Sequence, residues 1–335
     1  MSTYKSKLLY IAGWDRSGST ILDQILGQLE GFFTVGELAA IWDRGPDCLC
    51  GCGSILKNCG IWNRIFTEAF GVGPDRFDFH AARRDRPCWA RFRHLWLLAN
   101  PPLRRLFQRS LEPHLELTQK LYQAVSRVTG ARVIVDSSKR PTHAYLLQLS
   151  GIGVPYIVHL VRDPRGCAYS YQIRKPHPDP GIRRMPTMHP AKSSLQWIGS
   201  NLAFRVLWGD SCERYMLVRY EDFITQPRDT VRRILEFVGE PAHPLSFLSS
   251  NSVFLQPLHG VFGNPSRFHT GEVQLKLDER WKSQMKERDK FVVTALTSPW
   301  LSTYGYPLHA NGIAPTGVEV QNAGNQQDRR CEPLL

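Results

Sequence analysis

Two stretches of this sequence carry the residue types of an anion site. The first, Gly13-Trp14-Asp15-Arg16-Ser17-Gly18-Ser19-Thr20, follows an apolar run and precedes Ile21, Leu22, Ile25 and Leu26 at helical spacing. Strand, glycine loop and helix in that order make a phosphate loop. Glycines let backbone N–H groups face an anion, and the helix dipole adds about half a positive charge. Against the pattern G-x4-G-K-[ST], Ser19 occupies the lysine position. The group that would reach β- and γ-phosphates is thereby missing, which argues against a P-loop kinase or NTPase. A nucleotide with a single 5′-phosphate and a further anionic group fits better, and Arg16 stands where it can supply the charge that Ser19 lacks. A plain strand-to-helix turn of small residues is the alternative, but it leaves the order of the three parts unexplained.

The second stretch is Leu160-Val161-Arg162-Asp163-Pro164-Arg165-Gly166, at the end of another apolar run, followed by Ser170 and Arg174. A helix starting near Pro164 would put Ser170 and Arg174 on one face, where a hydroxyl and a guanidinium clamp a phosphate together with Arg162. The plain reading is an Arg162–Asp163 surface pair with Ser170 packed. A basic site at the carboxyl end of a parallel strand is, however, where an open α/β sheet binds its ligand. Lys139, after Val135-Asp136-Ser137-Ser138, should open onto the same cleft, unless it is a surface lysine. Gly263-Asn264-Pro265-Ser266-Arg267-Phe268 has the make-up of a loop able to close over a bound nucleotide.

Taken together, R-S-G-S-T and L-V-R-D-P-R-x4-S resemble the 5′-phosphosulfate loop and the 3′-phosphate site of the PAPS-dependent sulfotransferases (PAPS is 3′-phosphoadenosine 5′-phosphosulfate). The similarity is to the bacterial-type branch and, more distantly, to the protein-tyrosine sulfotransferases. V-G-E-L at Val35–Leu38, the C-x-C-G segment with Cys59 and Trp62, R-Y-E-D-F at Arg219–Phe223 and G-N-P-x-R-F at Gly263–Phe268 extend it over most of the chain. The resemblance implies PAPS as sulfonate donor, with Arg162, Ser170 and Arg174 on its 3′-phosphate and Arg16, Ser17, Gly18, Ser19 and Thr20 on its 5′ end. It implies that Tyr220 and Glu221 lie against the nucleotide, that Asn264 and Arg267 belong to the donor loop, and that Lys139 sits near the leaving phosphate.

Sulfonate transfer moves a planar group in line between two oxygens, so positioning and charge supply most of the rate. The acceptor hydroxyl needs a general base. Glu37 is the candidate, because in the tyrosine sulfotransferases a Gly-Glu segment at this distance from the loop carries the base; an N-cap or a partner of Arg44 is its plainer role. His80, His143, His159 and His189 are the rivals. The chemistry requires no metal.

These residues must be positioned by a sheet. Leu8–Ala12, Val133–Val135, Tyr156–Val161 and Met216–Val218 read as buried strands, alternating with helical patterns over 115–128, 194–207 and 231–238. The expected fold is α/β and P-loop-like, in three layers, with a central parallel sheet flanked by helices. A single domain over 1–309 is expected, with a helical or loop insertion at about 75–110 that covers the sheet and contacts acceptor. Residues 310–335, rich in Gly, Asn and Gln, are expected to be a disordered tail.

The formal net charge of +12 over 335 residues calls for an anionic partner. PAPS or its product PAP satisfies this, as would an acidic acceptor. A basic nucleic-acid-binding module is the rival outside enzymes, but the positive residues are scattered and not interleaved with aromatics in a recognition motif. Leu8–Ala12 is too short for a signal-peptide core and no run is long enough to span a membrane, so a cytoplasmic protein is expected. Cys48, Cys50, Cys52 and Cys59 leave zinc, free thiols and a local disulfide open, since C-x-C-x-C lacks the C-x2-C spacing of common zinc knuckles. The acceptor hydroxyl and the oligomeric state are not written in these motifs.

Overall fold

The computed structural model describes residues 6–84, 92–177, 179 and 183–308. The sequence's 310–335 tail lies outside the described residues. Five parallel strands form the central sheet in the order β2-β3-β1-β4-β5: β1 (Lys7–Gly13), β2 (Phe32–Gly36), β3 (Val133–Asp136), β4 (Tyr156–Val161) and β5 (Tyr215–Arg219). Four of these are the apolar runs of the sequence. The fifth, β2, escaped because five residues ending in glycine carry little pattern.

Apolar residues on both faces explain why the sheet is covered twice. Along β1, Leu8, Tyr10 and Ala12 face one core together with Ile134, Trp62, Phe66, Leu121 and Val125. Leu9 and Ile11 face the other, with Val133, Val135, Leu22, Ile25, Phe223 and Ile234. The period of two along a strand therefore sorts side chains between two helical layers. Proline in the first turn starts the helices Pro101–Thr129, Pro141–Leu149, Pro164–Gln172, Pro190–Trp208 and Pro227–Phe237, where its missing N–H costs nothing. This is the expected three-layer α/β fold.

A short antiparallel pair, β6 (Ser252–Leu255) and β7 (Gly271–Gln274), stands beside the sheet. Within 75–110 the described residues form helices at Phe79–Arg84, Leu95–Ala99 and the start of Pro101–Thr129, and none joins the sheet. No described helix is long and apolar enough to cross a membrane.

Candidate active site

The carboxyl ends of the parallel strands open onto a cleft of about 760 Å³ lined by Asp15, Arg16, Glu37, Lys139, Arg162 and Ser170 among others. β1 delivers the glycine loop. Gly13 has φ 128°, and a Cβ there would lie 2.2 Å from the Leu160 carbonyl oxygen, so glycine is required where the chain leaves the sheet. Gly18, at φ 89°, caps helix α1 (Ser19–Leu26) without a side-chain hydrogen bond. The first-turn N–H groups of such a helix have no intrahelical partner and are left for an anion. Ser17 is buried with its Oγ unpartnered, while Gly18, Ser19 and Thr20 line the cleft. The Tyr220 ring packs so closely on Gly18 that a Cβ would stand 2.5 Å from it.

Arg16 and Lys139 are two of the three described non-glycine residues with positive φ, at 69° and 60°. That conformation costs a side-chain-bearing residue about 1–2 kcal/mol and persists where surrounding structure imposes it. At Lys139 the imposing contacts are visible. The Asp136 carboxylate accepts the Ser138 N–H at 2.7 Å, the Ser137 N–H reaches the Gly36 carbonyl at 2.8 Å, and Ser138 Oγ accepts the Ala39 N–H at 3.0 Å. The turn after β3 is thus tied to the end of β2. Lys139 Nζ donates to Glu37 Oε1 and lies 3.7 Å from Asp15 Oδ1. Burial opposes the ammonium charge, but the Glu37 and Asp15 carboxylates outweigh it and raise the pKa above the ordinary lysine value. Glu37 pairs with Lys139 and not with Arg44, which lines the cleft separately.

The second anion site is built differently from its sequence pattern. Asp163 takes Arg165, through Oδ2 at 2.7 Å and Oδ1 at 2.9 Å, so the plainer alternative of an Arg162–Asp163 pair is not what forms. Arg162 instead turns to the cleft. Its Nη1 donates to the Arg16 carbonyl at 3.0 Å, its Nη2 to the Asp278 carbonyl at 2.8 Å, and its guanidinium lies 4.5 Å from the Tyr220 ring centre. Ser170 also lines the cleft. Arg174 does not share its face: the helix ends at Gln172, ahead of Pro176, and Arg174 is exposed and outside the cleft lining. Lys175 lines the cleft in its place. Burial and the neighbouring Arg16, Arg280 and Arg162 guanidiniums push the Lys175 pKa down. Crowded cations of this kind are relieved by a bound anion.

Three other expected placements change. Arg267 is buried outside the main cleft, where Nη2 binds Asp179 Oδ1 at 3.0 Å and the Leu49 carbonyl at 3.3 Å. It fastens the loop, whereas Asn264 lines the cleft and caps the turn by accepting the Ser266 N–H at 3.1 Å. Glu221 faces away from the cleft, accepting Tyr306 Oη–H at 2.7 Å and the Asp163 N–H at 3.2 Å. None of His80, His143, His159 and His189 lines the cleft. His159 is a core residue held between Tyr215 Oη at 2.6 Å and Asn201 Oδ1 at 2.8 Å, and burial drives its pKa down to about 4. His177 and His269, which no motif singled out, line the cleft instead. No described residue of 75–110 does, although Arg83 reaches the lining residue Asp43 at 3.6 Å.

Away from the cleft, Cys50, Cys52 and Cys59 converge with His259. Cys48 stands apart, donating to the Gly45 carbonyl at 3.3 Å. None of these four sulfurs is joined in a disulfide.

Residues 7–305 match the sequence model of the sulfotransferase domain. Among solved structures, the chain is similar to the sulfotransferase domain from the curacin biosynthetic pathway, with 17% identity, a TM-score of 0.50 and coverage of 90% of this chain and 99% of that one. It is also similar to the sulfotransferase domain of the Synechococcus PCC 7002 olefin synthase, with 18% identity, a TM-score of 0.46 and coverage of 88% and 95%. At such identities the likeness to the curacin-pathway domain is one of fold. Among curated proteins none matches the sequence.

Proposed function

The chain belongs to the sulfotransferase domain family, and from that premise we propose that it transfers the sulfonate of PAPS to a hydroxyl. One observation carries the reading: the glycine loop, the Arg162–Ser170 site and the Lys139–Glu37 pair meet in a single cleft. The loop amides, Ser17, Ser19 and Thr20 suit the 5′-phosphosulfate; Arg162, Ser170 and Lys175 suit the 3′-phosphate. Tyr220, stacked under Arg162, suits a place beside the nucleotide.

In the reaction the acceptor oxygen bonds to sulfur as the bond from sulfur to the 5′-phosphate oxygen breaks. The acceptor proton passes to Glu37. The charge that appears on the leaving phosphate is met by Lys139 and Arg16, so the protein's own cations supply the electrostatic stabilisation. Glu37 and Lys139 hold each other until donor and acceptor divide them. The basic rim, with Arg44, Arg140 and Lys276 exposed, suits an acceptor that itself carries negative charge.

Transfer of ³⁵S from labelled PAPS to a panel of phenolic, carbohydrate and lipid hydroxyls tests the reading. Glu37→Gln should lower turnover by about 10²–10⁴-fold with PAP affinity retained. A wild-type chain that binds no PAP and moves no label would overturn the proposal.

A further inference from the structure

The cysteine cluster has no part in the proposed chemistry, yet its geometry is specific. Cys50 Sγ lies 3.7 Å from Cys59 Sγ, and Cys52 Sγ lies 3.8 Å from Cys59 Sγ. His259 Nδ1 stands 3.7 Å from Cys50 Sγ and 3.5 Å from Cys59 Sγ. All four atoms fall within 4.8 Å of one another. A tetrahedral zinc ion with bonds of about 2.3 Å to sulfur and about 2.0–2.1 Å to nitrogen has edges of about 3.8 Å between sulfurs and about 3.5–3.6 Å from sulfur to nitrogen. The four separations match those edges closely, and the other two are no longer than 4.8 Å. They are far from the sulfur–sulfur bond of about 2.05 Å in a disulfide.

We propose that Cys50, Cys52, Cys59 and His259 bind a structural zinc ion that fixes one wall of the cleft. Backbone hydrogen bonds draw the four groups together. Cys50 N–H donates to the Ser54 carbonyl at 2.8 Å, Gly53 N–H to the Cys50 carbonyl at 2.9 Å, and Gly51 N–H to the Gly260 carbonyl at 2.9 Å. Trp62 Nε1 donates to the His259 carbonyl at 2.8 Å, and the His259 ring lies nearly parallel to that of Phe33, at 14°. Gly51 is obligatory, since a Cβ there would stand 2.7 Å from the Leu258 carbonyl oxygen. Cys50 and Cys59 are buried while Cys52 and His259 are half-buried, which leaves an entry side. Binding replaces three thiol protons by one Zn²⁺ and uses the neutral imidazole, releasing three protons to solvent. Four protein ligands complete the tetrahedron, which marks a structural and not a catalytic ion.

The consequence for the cleft runs through two residues of chain. Val261 N–H donates to the Val35 carbonyl at 3.0 Å, and Glu37 N–H donates to the Val261 carbonyl at 2.8 Å. His259 thus anchors the segment that pairs with the end of β2 and then supplies Phe262, Gly263 and Asn264 to the cleft. The sequence hid this arrangement because the fourth ligand is not Cys48 but a histidine 200 residues from Cys59.

Metal analysis of the full-length chain, purified without chelator, tests the site. The expected result is about one zinc per chain, retained in Cys48→Ser and lost by more than half in Cys52→Ser and His259→Ala. Cobalt(II) substituted into the unmodified chain should show the intense visible bands of a tetrahedral site and a thiolate charge-transfer band, a readout that stands even if a variant fails to fold. Zinc-free protein from zinc-supplemented medium with the Cys50, Cys52 and Cys59 thiols open to a thiol reagent would overturn the proposal. So would a Cys52–Cys59 disulfide in the purified chain, or an octahedral cobalt spectrum.

Discussion

Arg16 and Lys139 hold backbone conformations that side-chain-bearing residues avoid, and both line the cleft. Strain accepted at two cations of one cleft is a signature of function over stability. Arg16→Gly therefore should leave the melting temperature unchanged or raised, while weakening PAP binding about tenfold or more, as loss of a charge-assisted contact requires; a lower melting temperature with intact binding would contradict this. Lys139→Ala should slow turnover by about 10²–10³-fold, more than it weakens donor binding, in a single-turnover assay. The glycine loop and Arg162 could be singled out because each sits at the end of an apolar run, whereas Glu37 follows β2, which carries no such pattern, and was reached only through the family resemblance. Arg174 was misplaced because its helix was extended past Gln172, although Pro176 disfavours helix at the residue before it. Arg267 and Glu221 were misjudged for another reason: a charged residue in a motif can fasten the motif's backbone, and only the partners Asp179 and Tyr306 reveal that.

Between elements, the clasp that matters most joins α1 to β2. Asp23 of α1 is buried and accepts the Thr34 hydroxyl at 2.5 Å. Burial raises its pKa to about 7, against the lowering effect of hydrogen bonds from Thr34 and Ser137. A carboxyl with a folded pKa above its unfolded value binds more protons when native, so its contribution to stability declines as pH rises from about 4 to 7. Asp23→Asn should accordingly be more stable than the parent at pH 8, with the difference vanishing toward pH 4, in urea melts read across that range. A constant difference at all pH values would show that Asp23 does not titrate in this window. The clasp fixes the helix that presents the glycine loop against the strand that presents Glu37. Sequence periodicity found β1, β3, β4 and β5 and the long helices. It missed β2, β6 and β7, strands of four or five residues whose places are set by contacts distant in the chain, such as Val261 against Gly36.

Across the whole molecule, the net charge of +12 is spread widely, and the cleft carries a modest share of it. The cleft is lined by seven Lys and Arg residues against five Asp and Glu, and low-dielectric walls focus that excess on an entering anion. PAP affinity should fall steeply as salt is raised toward 0.5 M, since the Debye length shortens to well under about 8 Å; a salt-independent constant would place the anion elsewhere. The charge total was plain from composition, whereas which cations line the cleft needed the fold, because Arg44, Lys139, Arg162 and Lys276 are widely spaced along the chain. The most direct measurement is calorimetric titration of PAP against 5′-AMP and ATP, with Ser170→Ala in parallel. PAP should bind at least tenfold more tightly than either, and Ser170→Ala should remove about 1–2 kcal/mol of that preference. ATP bound as tightly as PAP, or a preference untouched by Ser170→Ala, would contradict it.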